Sequence, residues 1–178
     1  MLFFKDISNF NNINDYLPIL TAAITIDTIG IWLFSKRIIV SKSMETWYTK
    51  FHLYAIMADV LIICLGLITT RFLYYYIFTS FSILKFTSLT VALQIIHDSM
   101  FYILFSAIPR GHNSMIDVFQ DYAKTANLSA IWGDSLMIIG TCLIASFLAN
   151  YNTNINIIVL MVVLYSMTFV ANGFYKSL

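Results

Sequence analysis

Five stretches of this chain are apolar for long enough to cross a lipid bilayer, and that limits the fold more than any other feature. A hydrocarbon core of about 30 Å takes about 20 apolar residues as a helix. Leu17–Ser35, Phe51–Thr70, Phe86–Ile108, Leu128–Ala149 and Ile155–Tyr175 each supply such a run. Inside lipid every backbone N–H and C=O must find a partner within the protein, and runs of this length achieve that as helices. The rest of the chain agrees. Of its 178 residues, 60% are hydrophobic and only 11% charged. A soluble domain carries roughly 25% charge, so this surface cannot be a water-facing one. A soluble enzyme domain, a disordered chain and a coiled coil are thereby excluded. The net charge of +1 shows no nucleic-acid footprint. The expected fold is all-α, a polytopic helical bundle forming one membrane domain over residues 1–178.

Pro18 suits the first turn of a helix, and Pro109 cannot readily continue the third span. Lys5, Asp6 and Asp15 break up the first sixteen residues, so no cleavable leader is expected. The apolar remnant Phe72–Leu84 is too short to span. Its Tyr74, Tyr75 and Tyr76 fit an interfacial aromatic belt, or the remnant extends the second helix by two turns. Basic residues set orientation. Lys36, Arg37, Lys42, Lys50, Arg110, Lys124 and Lys176 fall on one side of a five-helix chain, and Lys5, Arg71 and Lys85 on the other. The N-terminus is therefore expected outside and the C-terminus in the cytoplasm. The sequon Asn127-Leu128-Ser129 then lies on the cytoplasmic side. Cys64 and Cys142 read as small buried hydrophobes.

The chain also resembles itself. With a shift of 71 residues, Asp27-Thr28 falls on Asp98-Ser99, Leu33-Phe34-Ser35 on Leu104-Phe105-Ser106, and Ser43-Met44 on Ser114-Met115. A four-residue insertion then raises the shift to 75. Ala55-Ile56-Met57-Ala58-Asp59 falls on Ala130-Ile131-Trp132-Gly133-Asp134, and His52 on Asn127. The expectation is a tandem two-helix repeat, residues 17–70 and 86–149, with an additional helix at 155–175 (2 + 2 + 1). Two helices per unit make the halves parallel, related by an axis along the membrane normal.

Four of the nine acidic residues, Asp27, Asp59, Asp98 and Asp134, lie in these spans. An acid at a helix centre costs about 2.5–3.5 kcal/mol, so four cost on the order of 10–14 kcal/mol. They should face the bundle interior. No Lys or Arg shares their depth, so they are protonated, share protons pairwise, or hold a cation. Asp27 and Asp98 are expected as a central pair, and Asp59 and Asp134 as a pair nearer the cytoplasm. Thr28, Ser99 and Ser135 follow three of the acids and His97 precedes one. These hydroxyls bond either to a neighbouring helix or to their own backbone. Gly30, Ala58, Gly66, Gly133 and Gly140 would let helices approach closely.

No nucleophile elbow, HExxH, P-loop or dinucleotide-binding glycine pattern is present. No catalytic residue and no cofactor is assigned, and a metal at the acids stays open. Three functions fit: a narrow proton or cation pathway through the acids, a membrane scaffold with protonated acids as interhelical glue, and a lipid-modifying enzyme. Expected partners are the bilayer, further copies of the chain, and capsid or other membrane proteins. The capsid belongs to a resemblance. The stretch Ile108-Pro109-Arg110-Gly111-His112-Asn113-Ser114-Met115-Ile116-Asp117-Val118-Phe119, continuing through Asp121-Tyr122-Ala123-Lys124 to Gly133-Asp134-Ser135-Leu136-Met137, resembles a family of uncharacterised multi-pass membrane proteins of large DNA viruses of algae and protists. That resemblance implies a virion inner membrane or a host membrane, and brings no activity and no site residues.

Overall fold

The computed structural model describes residues 3–176, and the side chains of all of these except 43, 123–130 and 174–176. It is all helical, with no strand among the described residues: a 3-10 turn Ile13–Asp15, then α1 Tyr16–Ser35, α2 Lys42–Phe51, α3 Leu53–Ile77, α4 Ile83–Ser106, α5 Ser114–Leu148 and α6 Thr153–Lys176. Five of these helices contain a stretch long and apolar enough to cross a membrane, so the chain is an integral membrane protein in a lipid bilayer. The side chains of Lys124 and Lys176 and the 127–129 sequon lie outside the described side chains.

The spans pack as a ring. α1 lies against α3 and α5, and α4 lies against the same two, while α6 covers the remaining side of α1. Small residues set the spacing, since membrane helices associate by close packing rather than by escape from water. Ala22 and Ala23 of α1, Ala145 and Ala149 of α5 and Ala171 of α6 are all buried. Gly140 is the closest approach: a Cβ there would sit 2.6 Å from Ile26 Cδ1 of α1. Gly66 has its nearest neighbour at 4.0 Å, and Gly30 and Gly133 have open space around them. Close packing thus rests on Gly140 and the alanines rather than on every small residue beside an acid.

Helix extends beyond the apolar runs in three places. The connection after α1 is largely a helix, α2, capped by Ser41, whose hydroxyl accepts from Met44 N. The fourth span, apolar over Ile131–Leu148, is the second part of a longer helix. Asn113 caps α5 by accepting from Met115 N and Ile116 N, and helix then runs unbroken for 35 residues. Phe72–Ile77 extends α3, which is the second of the two readings of that remnant. Its three tyrosines cannot act alike, because neighbours on a helix point about 100° apart. Tyr74 is wholly buried among Phe78, Phe81 and Phe86, and its hydroxyl donates to Ser80 O and accepts from Ser82 N at 2.9 Å. Tyr75 donates to Asp6 Oδ2, and only Tyr76 points freely outward.

The N-terminal segment is tied over one end of the ring. Lys5 N and Ser146 O are 3.1 Å apart, and Ser146 Oγ donates back to Lys5 O. Arg71, buried near the end of α3, stacks on Tyr16 at 4.3 Å and donates to Asn9 O, Asn12 O and Asp15 Oδ2. At the same end Asn156 closes the α5–α6 turn by donating to Leu148 O, Tyr151 O and Asn152 O. The opposite end carries α2 and the first turns of α5.

Candidate functional site

The acids gather toward the α2 end, and α2 organises them. Met44, Trp47, Tyr48 and Phe51 recur at i, i+3, i+4 and i+7, which places them on one face of that helix. Trp47, Tyr48 and Phe51 are buried, while Glu45 and Lys50 stay exposed. Tyr48 reaches between two spans. Its hydroxyl lies 2.8 Å from Asp59 Oδ2 of α3 and 3.2 Å from Asp27 Oδ1 of α1. Trp47 Nε1 donates to the same Asp59 carboxyl at 3.2 and 3.3 Å. Asp27 is 0% exposed, and its Oδ2 has no hydrogen-bond partner among the described residues.

The other two acids sit against α4 and α5. Asp98 accepts from Gln94 Nε2 one turn earlier, and His97 Nδ1 lies 3.1 Å from its other oxygen. Ser135 Oγ of α5 donates to Gln94 Oε1 at 3.0 Å, which links the two helices beside Asp134. Tyr122, on the early part of α5, senses three acids at once. Burial first, and then the carboxylates of Asp134, Asp59 and Asp98, push its phenol up. Burial, then Asp59 and Asp27, does the same to Tyr48, so that hydroxyl stays protonated and remains a donor. Together the two phenols trace one cluster. Asp27 and Asp59 join through Tyr48, and the charges of Asp134, Asp59 and Asp98 all reach Tyr122.

Of the four aspartates named from the sequence, Asp27 and Asp59 share a bridging phenol, a different pairing from the one expected. Asp27 partners Asp59 rather than Asp98, because α2 inserts its phenol between α1 and α3. Thr28 and Ser99 are not part of the site. Their hydroxyls donate to Ile24 O and Ile95 O one turn back along their own helices. Ser135 and His97 do join it, one through Gln94 and one at Asp98. Trp47, Tyr48, Gln94 and Tyr122 were missed. For the first two the signal was the helical spacing of Met44, Trp47, Tyr48 and Phe51 after a serine cap. For Tyr122 it was the matching spacing of Met115, Val118, Phe119 and Tyr122 after Asn113.

Chemically the cluster has acceptors in excess. The donors in the bonds described for it are one phenol, one indole, one amide, one hydroxyl and His97, with no Arg or Lys among them. His97 and Asp98 are its open edge, with side chains 32% and 33% exposed. Among the described residues no three His, Cys, Asp or Glu side chains meet as a metal site. No protein-family model matches this chain, and no curated protein or solved structure matches it either.

Proposed function

We propose that the four aspartates form a narrow pathway for protons across the inner half of the membrane. The observation that carries this reading is the Tyr48 bridge. A phenol that holds two carboxyls from different spans, with a second phenol among the remaining acids, is an arrangement for passing and sharing protons. The carboxyls are spaced by phenols instead of closing on a point, which suits protons better than a larger cation. Protons reach the line at the half-exposed His97–Asp98 edge. The end that carries Lys36, Arg37, Lys42, Lys50 and Arg110 is the cytoplasmic one by the distribution of basic residues. The resemblance over residues 108–137 supports a virion inner membrane or a host membrane as its setting.

Proteoliposomes carrying an internal pH dye and an imposed potassium diffusion potential test the reading. The wild type is expected to acidify its lumen, and Asp27→Asn with Asp98→Asn to abolish the flux. Unchanged flux in that variant rejects the role. The scaffold reading is favoured by one observation, the complete enclosure of Asp27. Under it the Asn variants assemble as the wild type does and neither carries protons, whereas Asp→Leu variants fail to assemble. Orientation is read by cysteines placed at Ser114 and Thr153. The buried native Cys64 and Cys142 stay silent. Labelling of Ser114 from the outside overturns the assigned topology.

A further inference from the structure

At the opposite end from the acids, the N-terminal segment and the start of α4 enclose an open cleft of about 860 Å³. That volume is within the roughly 300–1,000 Å³ of ordinary ligand sites. Phe3, Phe4 and Phe81 form its apolar wall, and Lys5, Asp6 and Asn150 supply its polar groups. Phe3 and Phe4 meet at 89° with centroids 4.8 Å apart, so their rings make a corner. Both charges are fixed in place. Lys5 Nζ donates to Ala149 O at 2.9 Å, at the end of α5. Asp6 Oδ2 accepts from Tyr75 at 2.9 Å, and Asp6 Oδ1 accepts from Ser8 N and Ser8 Oγ at 2.8 and 2.6 Å. An ammonium has three donors, so Lys5 keeps two for a ligand. The cleft lies where α3 ends and α4 begins, at the level where hydrocarbon gives way to headgroups.

We propose that this cleft binds the headgroup of a zwitterionic phospholipid from the surrounding leaflet. One fixed anion beside aromatic rings suits an ammonium group, through charge attraction and the ring faces. One fixed cation suits the phosphate that the same headgroup carries a few bonds away. The two charges cancel, so an anionic headgroup gains Lys5 but meets Asp6. A membrane lipid, unlike a soluble phosphate ester, also delivers acyl chains that lie along the apolar outer faces of the spans.

The test uses the purified full chain in uncharged maltoside micelles. Short-chain phosphatidylcholine, phosphatidylethanolamine or phosphatidylglycerol is titrated in, with free phosphocholine as the chainless control. Binding is read by saturation transfer from protein to headgroup protons. At least one of the two ammonium lipids is expected to bind about tenfold more tightly than phosphatidylglycerol. Asp6→Asn keeps the oxygen that accepts from Ser8 and is expected to bring that ratio to about twofold or less. Phe81→Leu is expected to weaken the ammonium lipid about threefold or more, with helicity and melting unchanged. Equal binding of ammonium lipids and phosphatidylglycerol by the wild type overturns the proposal. So does a ratio that neither variant changes. Free phosphocholine binding as tightly as the lipid overturns the lipid as occupant.

Discussion

Replacing Tyr48 by Phe removes one oxygen atom from the middle of the acid cluster, and the structure says what that must cost. The hydroxyl serves Asp59 at 2.8 Å and Asp27 at 3.2 Å. Without it Asp59 still has the Trp47 indole at 3.2 Å. Asp27 has nothing among the bonds described for it, since its other oxygen is already without a partner and its side chain is wholly enclosed. A bond to a charged group contributes about 1.5–3 kcal/mol, and a buried acceptor left alone costs about 1–3 kcal/mol. An ordinary hydrogen bond between membrane helices contributes about 0.6 kcal/mol. Tyr48→Phe is therefore expected to cost about 2–3 kcal/mol, several times the ordinary value. Trp47→Phe removes a bond from a carboxyl that keeps Tyr48, and its hydrogen-bond loss is about 1 kcal/mol. Reversible unfolding in mixed micelles against the mole fraction of dodecyl sulfate measures both. An Asp27→Asn background supplies the cycle. With a neutral amide at 27 the loss of the phenol should be smaller by about 1 kcal/mol or more. A cost near 0.6 kcal/mol for Tyr48→Phe, or simple additivity with Asp27→Asn, refutes the bridge as the feature that organises the site.

Other outcomes follow from local geometry. Arg37 stands at φ 54° after α1, with its N–H on Phe34 O and that of Ile38 on Leu33 O, a helix end that glycine suits best. Arg37→Gly should stabilise the fold by about 1 kcal/mol in the same unfolding assay. Gly140→Ala meets the flexible side chain of Ile26, mainly at its Cδ1 tip, so its cost should stay at about 1 kcal/mol and fall when Ile26→Val removes that tip. Tyr48 and Tyr122 have phenols raised above the ordinary value near 10 in the folded state. They favour folding in full below that value. Above it the unfolded chain ionises first, so stability should fall as pH rises beyond about 10. Ultraviolet titration should show Tyr48→Phe and Tyr122→Phe each removing one phenol that ionises only with unfolding.

The spans and the acids were legible because lipid imposes rules that act on single residues. A run of 20 apolar residues has one stable form, and an ionisable residue within it must face inward. What stayed hidden depended on how parts meet. α2 and the start of α5 are polar enough to pass for loops when judged by hydropathy, although Ser41 and Asn113 announce helices there. The pairing of Asp27 with Asp59 needed the position of Tyr48, which belongs to no span. Asp98 and Asp134 were equally visible, yet their neighbours Gln94 and Tyr122 carry no charge to draw attention. Thr28 and Ser99 looked like partners of the acids because they adjoin them in sequence. On a helix an adjacent hydroxyl points elsewhere and bonds to the carbonyl one turn back.

The spacing that turns Tyr48 inward has a counterpart at the start of α5. Met44, Trp47, Tyr48 and Phe51 stand 71 residues before Met115, Val118, Phe119 and Tyr122, so the shift that aligns Asp27 with Asp98 also aligns two sets of the same helical spacing. This supports the reading of the chain as a tandem repeat. The shift becomes 75 only at His52 and Asn127, so the four additional residues are 123–126. Four residues are close to one helical turn of 3.6, so they lengthen the helix while keeping its faces nearly in phase. In the second half the helix accordingly runs through as α5. The first half lacks that turn, and its chain breaks between α2 and α3 at His52, at φ 49°. That break folds α2 back so that Tyr48 enters between α1 and α3. In the second half the aligned residue is Phe119, which has no hydroxyl, and the phenol stands one turn later, at Tyr122. α2 and the start of α5 thus each carry one phenol on the side of the acids, by a different backbone route.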